Sequence, residues 1–372
     1  MQHPAIKSDT FIVNVGPQHP STHGVLRVRL LMDGERMLDL EPVFGYLHRS
    51  KEKLEEERTY IQTIPITDRM DYLASMSNNL GTCLAIEKLA GIAVPPRGGY
   101  IRVIMNELQR LASHCFALGT FLQDLGAWGG PLMYFLRERE KIIDLFELVC
   151  GARLTYNYMR PGGVSQDLPP DFFPKCRQFM QDMPKYIDEY EELLLENEIL
   201  QIRTRNVGIL PRDLAINASQ SGPMLRGSGV AFDLRKEDPE TLPYDQFDFQ
   251  VPVGVGPGDC FDRFWVRLQE MRESVMIVLQ ALDGLPAGPF KTSVPLALRP
   301  PAGDAYAHLE SPRGMLGFYL VSDGGSSPWR FHVRAPSFIN LTVLREMCVG
   351  HTIADLVVII GSVDITMGDV DR

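Results

Sequence analysis

The chain has no two cysteines close enough to work together locally. Its six, Cys83, Cys115, Cys150, Cys176, Cys260 and Cys348, never come nearer in sequence than the 26 positions from Cys150 to Cys176. With no C-x-x-C pair, a zinc ribbon and an iron–sulfur site held by a local cysteine run are both excluded. A disulfide framework is not expected, and scattered single cysteines read as small core residues. Also missing is any run of about 20 apolar residues, the length that crosses a bilayer. The opening MQHPAIKSDTF lacks the apolar stretch of a secretory signal, so a cytoplasmic location is expected. Basic excess is absent too: 37 Lys and Arg face 47 Asp and Glu, a net charge of −10, which argues against a general nucleic-acid binder. There is no nucleophile elbow, phosphate loop or dinucleotide glycine fingerprint. The glycine cluster VGVGPGD (253–259) follows no convincing strand and opens no βαβ unit.

What is present is globular: 45% hydrophobic and 23% charged residues over 372 positions. At about 150 residues per domain, that length suggests two or three domains. The pattern gives an α+β chain in three parts. Residues 1–66 read as β structure, with FIVNV (11–15) followed by two alternating runs, 25–32 and 35–44, joined at Asp33-Gly34 in a hairpin turn. Residues 67–290 read as an antiparallel helical bundle. Ile101, Ile104, Leu108, Leu111, Cys115, Leu118, Leu122 and Leu125 make one stripe at steps of three and four, and Phe261 to Leu282 make another. A looser stripe runs from Cys176 to Leu193, shorter helices fit 70–90 and 132–150, and 126–130, 161–163 and 221–229 read as turns. Thr67 and Asp68 are expected to open the helix that carries Asp71 and Tyr72. Residues 291–372 read as a β and loop region with a second hairpin, 315–322 and 329–335, joined by DGGSSP.

Two places stand out chemically. The loop GPQHPSTHG (16–24) holds His19 and His23 at H-x₃-H spacing, but Pro20 breaks any helix and the loop offers no third metal ligand. Its histidines satisfy a tight loop or contact a substrate. On the helix through 101–125, Glu107 and Arg110 sit three apart as an ion pair. Asp124 lies among Phe121, Leu122, Leu125 and Trp128, where a carboxylate calls for a cation unless it sits exposed at the helix end. An isolated Tyr72 reads first as core.

Longer motifs carry a resemblance. GPQHPSTHGVLR (16–27), GYLHRSKEK (45–53), RMDYL (69–73), IRVIMNELQRLASH (101–114), FLRERE (135–140), RPGGV (160–164), SGPMLRGSG (221–229) and MGDVDR (367–372) stand in order along nearly the whole chain. The chain resembles the 49 kDa-type family, the D subunits of proton-pumping NADH–quinone oxidoreductase (respiratory complex I), in its unfused bacterial form. The resemblance implies the fold of the [NiFe] hydrogenase large subunit with its metal ligands lost. It implies a quinone headgroup site, for ubiquinone or menaquinone, that couples quinone reduction to proton translocation. His23 and Tyr72 match the pair that hydrogen-bonds the quinone, and Asp124 matches the acid that pairs with the histidine. Arg69 matches an arginine near the terminal iron–sulfur cluster, which the neighbouring B subunit holds. Arg49 matches a position that is methylated in some relatives. Where many relatives carry a histidine near the cluster, this chain aligns Thr155. Implied partners are the B, C and I subunits and the membrane-embedded H subunit. NAD binds elsewhere in the complex, and this chain ligates no metal. The implied location is peripheral, on the cytoplasmic side of the bacterial inner membrane. The alternative is a metal-free structural subunit of a related hydrogenase-like membrane complex, or of a quinone reductase with another electron donor.

Overall fold

The computed structural model describes residues 10–18, 23–127, 130–238 and 242–372. It opens with a three-stranded antiparallel sheet: β1 (Phe11–Val15), β2 (Arg27–Asp33) and β3 (Arg36–Val43), in the order β1-β2-β3. The alternation in β2 buries Val28, Leu30 and Met32, as the period of two requires. The hairpin forms one residue later than the Asp-Gly pair suggests. Asp33 pairs with Arg36, so Gly34 and Glu35 make the turn, with Gly34 at φ 59°.

Helices begin earlier than the sequence pattern indicates. α1 (Lys51–Glu56) and α2 (Tyr60–Thr67) lie inside the stretch read as β. Thr67 ends α2 rather than capping a new helix, and its hydroxyl donates to the Ile64 carbonyl at 2.9 Å. Asp71 and Tyr72 therefore sit in the turn before α3 (Ser75–Ala90), outside any helix. Next come α4 (Pro96–Asp124), α5 (Gly130–Cys150), the two-residue strands β4 (Met159–Arg160) and β5 (Gly163–Val164), and α6 (Phe172–Leu194). Four short helices follow: α7 (Glu198–Thr204), α8 (Arg212–Asn217), α9 (Gly222–Gly227) and α10 (Leu234–Glu237). α9 occupies the 221–229 stretch, which reads as a turn in the sequence. α11 (Cys260–Asp283) opens on a capping box, in which Asp259 accepts from the Asp262 amide and the Asp262 side chain from the Asp259 amide. The long helices close a ring of contacts, α4 on α5, α5 on α6, α6 on α11 and α11 on α4.

The second sheet is β6 (Gly303–Ser311), β7 (Gly314–Ser322) and β8 (Arg330–Arg334). The β7–β8 hairpin matches the sequence pattern. β6 does not show there, because the Pro/Gly-rich stretch before it masks its start. This sheet packs on α3. The chain finishes with α12 (Pro336–Asn340), α13 (Leu344–Cys348), α14 (Ile353–Val363) and α15 (Met367–Val370). Among the described residues no helix is long and apolar enough to cross a membrane.

α4 is buried on every side. Its apolar stripe lies in the core, and so do Glu107, Arg110 and His114 on its other face. Arg110 Nε lies 3.2 Å from Glu107 Oε2, the ion pair expected from their spacing.

Candidate functional site

β1 ends at Val15 and its partner β2 begins at Arg27, and the described residues between them, 16–18 and 23–26, belong to neither strand. Gly16 permits the exit. Its φ is 83°, and a Cβ there would meet the Leu26 carbonyl oxygen at 2.1 Å, so no side chain fits. His23, at φ 50°, opens the described stretch that leads into β2. His19 lies outside the described residues.

Asp124 is the last residue of α4, and the loop brings His23 onto it. His23 Nε2 stands 2.6 Å from Asp124 Oδ2, with side-chain exposures of 13% and 11%. The group that meets Asp124 is this imidazole, and Asp124 has no other ion-pair partner among the described residues. α14 passes beside the pair at Gly361, where a Cβ would meet Asp124 Oδ2 at 2.9 Å and Phe121 Cδ2 at 3.1 Å.

Tyr72 is half-buried in the α2–α3 turn. Its hydroxyl makes no hydrogen bond to the described residues. Burial raises its pKa above the ordinary tyrosine value, with Arg313 opposing and Asp71 adding. The turn itself is held firmly. Asp71 Oδ1 accepts the Leu73 amide at 3.2 Å, and Gln109 of α4 donates to the Leu73 carbonyl at 2.7 Å. Arg313, in the β6–β7 turn and fully buried, reaches Asp71 Oδ2 at 2.6 Å and Asp364 Oδ1 at 3.0 Å. Its Nε also donates to the Asp364 carbonyl at 2.9 Å. Asp364 follows Gly361 by three residues, so one strap of chain, 361–364, touches the His23–Asp124 pair and anchors the Tyr72 turn. No hydrogen bond or ion pair joins Tyr72 directly to His23 or Asp124.

The remaining candidates sit apart from these three. Arg69 is exposed at the end of α2, where its guanidinium donates to the Pro65 carbonyl, and its own carbonyl accepts Lys51 Nζ at 2.6 Å. Arg49 is exposed, without an ion pair among the described residues. Thr155 is half-buried in the irregular chain after α5. A titratable group does face that segment. Asp68 is fully buried, its Oδ1 accepts the Asn157 amide at 3.4 Å, and its Oδ2 has no partner. Burial pushes it up to about 7, against the hydrogen bond from Asn157 and the charge of Arg69. A groove of about 1020 Å³ opens elsewhere, lined by Glu87, Lys88, Tyr100 and His308 among others and by none of the site residues. Among the described residues no three His, Cys, Asp or Glu side chains gather as a metal set.

The family model for the respiratory-chain NADH dehydrogenase 49 Kd subunit matches residues 124–300 and 292–372, two-thirds of the chain. The chain belongs to this family. A Dehalococcoides mccartyi protein, named as the D subunit of NADH-quinone oxidoreductase, is 56% identical over 368 residues, covering 99% of this chain and 100% of the relative. A Roseiflexus protein, named as the first of that organism's D subunits of NADH-quinone oxidoreductase, is 55% identical, covering 97% of this chain and 98% of its own. A Clostridium beijerinckii protein, again named as the D subunit, is 49% identical, covering 99% and 98%. The similarity thus extends through the His23 loop and the Tyr72 turn, which precede the stretch matched by the family model.

Sequence reasoning missed Arg313, Asp364 and Gly361. An arginine in a Ser-Pro-Arg-Gly turn reads as a solvent-facing hairpin tip, and only the packed structure buries it. MGDVDR carries family likeness but no chemical signal for the role of Asp369 or Asp371. Asp371 accepts the Gly45 and Leu47 amides, each at 2.8 Å, and so joins the end of the chain to the GYLHR segment.

Proposed function

We propose that this subunit of NADH–quinone oxidoreductase forms the quinone headgroup site, with His23 and Tyr72 as proton-bearing ligands and Asp124 as the partner that orients His23. The observation that carries the reading is the 2.6 Å contact between His23 Nε2 and Asp124 Oδ2, reached across a hundred residues of chain. With Nε2 engaged by the carboxylate, Nδ1 is the nitrogen left to face a ligand. Asp124 compensates the ring when both nitrogens carry hydrogen. Tyr72 keeps its phenolic proton at neutral pH, because its pKa is raised, and so offers a donor of the opposite type: neutral and half-buried.

Quinone reduction takes two electrons and two protons. Electrons would come from an iron–sulfur cluster held by the neighbouring B subunit, and Arg69, exposed at the end of α2, would be this chain's cation toward it. The chain's own residues supply protons and position. Each carbonyl oxygen of the quinone gains negative charge as electrons arrive, and a donor within hydrogen-bond reach hands over its proton as that charge develops. Phe121, buried beside Asp124, gives the imidazole–carboxylate contact an apolar wall, while the pair keeps an edge toward solvent. Coupling to proton translocation, assembly with the B, C, I and H subunits, and a peripheral seat on the cytoplasmic side of the membrane belong to the same proposal.

Tyr72→Phe in the assembled complex tests it. Loss of one hydrogen bond of this kind costs about 1–3 kcal/mol, or roughly 5- to 150-fold in quinone reductase rate. Electron transfer to an artificial acceptor upstream should be normal. An unchanged rate with short-chain quinones contradicts Tyr72 as a headgroup ligand.

A further inference from the structure

Behind Tyr72 the chain encloses more carboxyl groups than its cations can pair. Arg313 is shared between Asp71 and Asp364, and Asp364 Oδ2 has no hydrogen-bond partner. Asp369, on α15, is also fully buried. Its Oδ2 accepts the Ser337 amide at 3.0 Å, while its Oδ1 has no partner at all. The charged groups that act on Asp369 come from every element around it: Asp71 on the α2–α3 turn, Arg313 on the β6–β7 turn and Lys51 on α1. Asp371 follows on its own segment, and Glu55 lies on the far side of Lys51 with both carboxyl oxygens buried and bare. Lys51 does not neutralise Asp369 by contact. Its Nζ donates instead to the carbonyls of Arg69 and Gly368, at 2.6 and 3.0 Å.

A dry carboxyl with a bare oxygen beside a second carboxyl takes up a proton more readily than one in water. Burial, then the proximity of Asp71, raise Asp369 from the ordinary aspartate value to about 6, with the Ser337 hydrogen bonds and Arg313 opposing. Proton donation by His23 and Tyr72 leaves this group without a role.

We propose that Asp369 is the proton store of the site, the carboxyl that restores Tyr72 after the tyrosine has given its proton to the quinone. The inference rests on the quinone-site reading. The step balances as follows. Two electrons arrive from the partner's cluster, and each quinone oxygen forms one O–H bond, one with the proton of Tyr72 and one with a proton from a His23 ring N–H bond, which breaks and is later re-formed from solvent. The O–H bond of Tyr72 breaks and leaves a phenolate. The O–H bond of the Asp369 carboxyl then breaks, its proton re-forms the phenol, and the carboxylate is later reprotonated from solvent. Packing brings the two segments together: a Cβ on Gly368, the residue before Asp369, would meet the Met70 carbonyl oxygen at 2.4 Å, two residues before Tyr72. Asp369 touches no quinone, so it is a positioning residue that acts through Tyr72.

The test uses the assembled complex in four forms: parent, Asp369→Asn, Asp369→Glu and Tyr72→Phe. Asparagine keeps an acceptor for the Ser337 amide but holds no exchangeable acid proton. Quinone reductase rate is read from about pH 5.5 to about pH 8, with upstream electron transfer as the control for assembly. Asp369→Asn is expected to be about tenfold slower at the acid end, less than the full effect of a general acid because Asp369 works at one remove. It should converge on the parent at the alkaline end, where the parent's carboxyl has already lost its proton. Asp369→Glu should restore the parent's pH dependence. Uniform slowing of Asp369→Asn at every pH, or a profile superimposable on the parent's, overturns the proton store. Infrared difference spectra keep the test open if Asp369→Asn does not assemble. In the parent, quinone turnover at the acid end should bleach a protonated-carboxyl band that shifts in Asp369→Glu, and absence of that band overturns the proposal. If Tyr72→Phe slows turnover while the Asp369 profiles match the parent's, the store alone is wrong. If Tyr72→Phe changes nothing, the quinone-site reading falls with it.

Discussion

Among the histidines that face carboxylates, His23 does so at the rim of the fold and His114 in its centre. His23 meets Asp124 at 2.6 Å with both side chains partly exposed. His114 on α4 meets Glu270 on α11 at 2.9 Å with neither exposed at all. Around the inner pair the charges are already answered. Arg226 Nε lies 2.7 Å from Glu270 Oε1, and Arg226 also holds Glu310 at 2.8 Å and Asp233 at 3.3 Å. Arg235 joins Asp233 to Glu107, which accepts from Tyr244 and Ser274 as well. Burial would raise Glu270, but Arg226, His114 and Arg110 hold it well below the usual carboxylate range. Burial lowers His114 and leaves its Nδ1 without a partner. The same two residue types therefore do different work. Inside, arginines fix the carboxylate and the imidazole stays neutral, locked away from solvent. At the rim, the ring is the one ion-pair partner of Asp124 among the described residues, and the ring's second nitrogen makes no hydrogen bond to them.

The largest effect that follows from this contrast is on stability. Glu270→Ala leaves Arg226 and Arg110 short of a counter-ion in a dry core, and about 3–5 kcal/mol of folding stability should go with it. Denaturant unfolding of the full chain measures this, and a loss below about 1 kcal/mol would make the inner cluster as dispensable as a surface pair.

A second effect, with a pH signature, belongs to Asp68. Its pKa in the fold stands at about 7, raised by burial from the ordinary aspartate value of 3.8. The folded chain thus holds this proton more tightly than the unfolded chain. Stability from this group is complete below about pH 4 and is lost as pH rises to about 7. Relative to Asp68→Asn, which does not titrate, the parent should lose roughly 4 kcal/mol across that window, at about 1.4 kcal/mol for each pH unit between the two values. Unfolding midpoints of both proteins at several pH values check it, and a constant difference would mean Asp68 does not titrate there.

Much of this architecture is visible in the sequence where one period dominates. The stripes of α4 and α11, and the alternation of β2, could not pack otherwise. The pairing of His23 with Asp124 is legible in part, because a carboxylate at 124 among aromatic neighbours demands a cation; the family resemblance supplies which one. Legibility fails where long-range packing decides. The Tyr72 turn carries a helix-start signal, Thr-Asp, yet Thr67 turns its hydroxyl back on the Ile64 carbonyl and accepts from Asn79, so one helix ends there instead of another opening. Arg313, Asp364 and Asp369 all lie more than 200 residues after Tyr72, in segments with no catalytic pattern, and only folding brings them behind it.

The smallest stability effect belongs to the rim pair. Asp124→Asn should cost under about 1 kcal/mol, since the pair retains access to water. Quinone reductase activity should nevertheless fall, because the ring loses the carboxylate that orients it. Unfolding and turnover of the same preparation separate the two, and a stability loss matching that of Glu270→Ala would erase the contrast between the pairs.

The most direct measurement of where the headgroup binds is photolabelling of the assembled complex with a photoreactive quinone analogue, followed by peptide mapping. The label should fall on the His23 loop or the Tyr72 turn and be displaced by excess quinone. Displaceable label confined to the groove beside Glu87, Tyr100 and His308, with none on those two segments, would contradict the site.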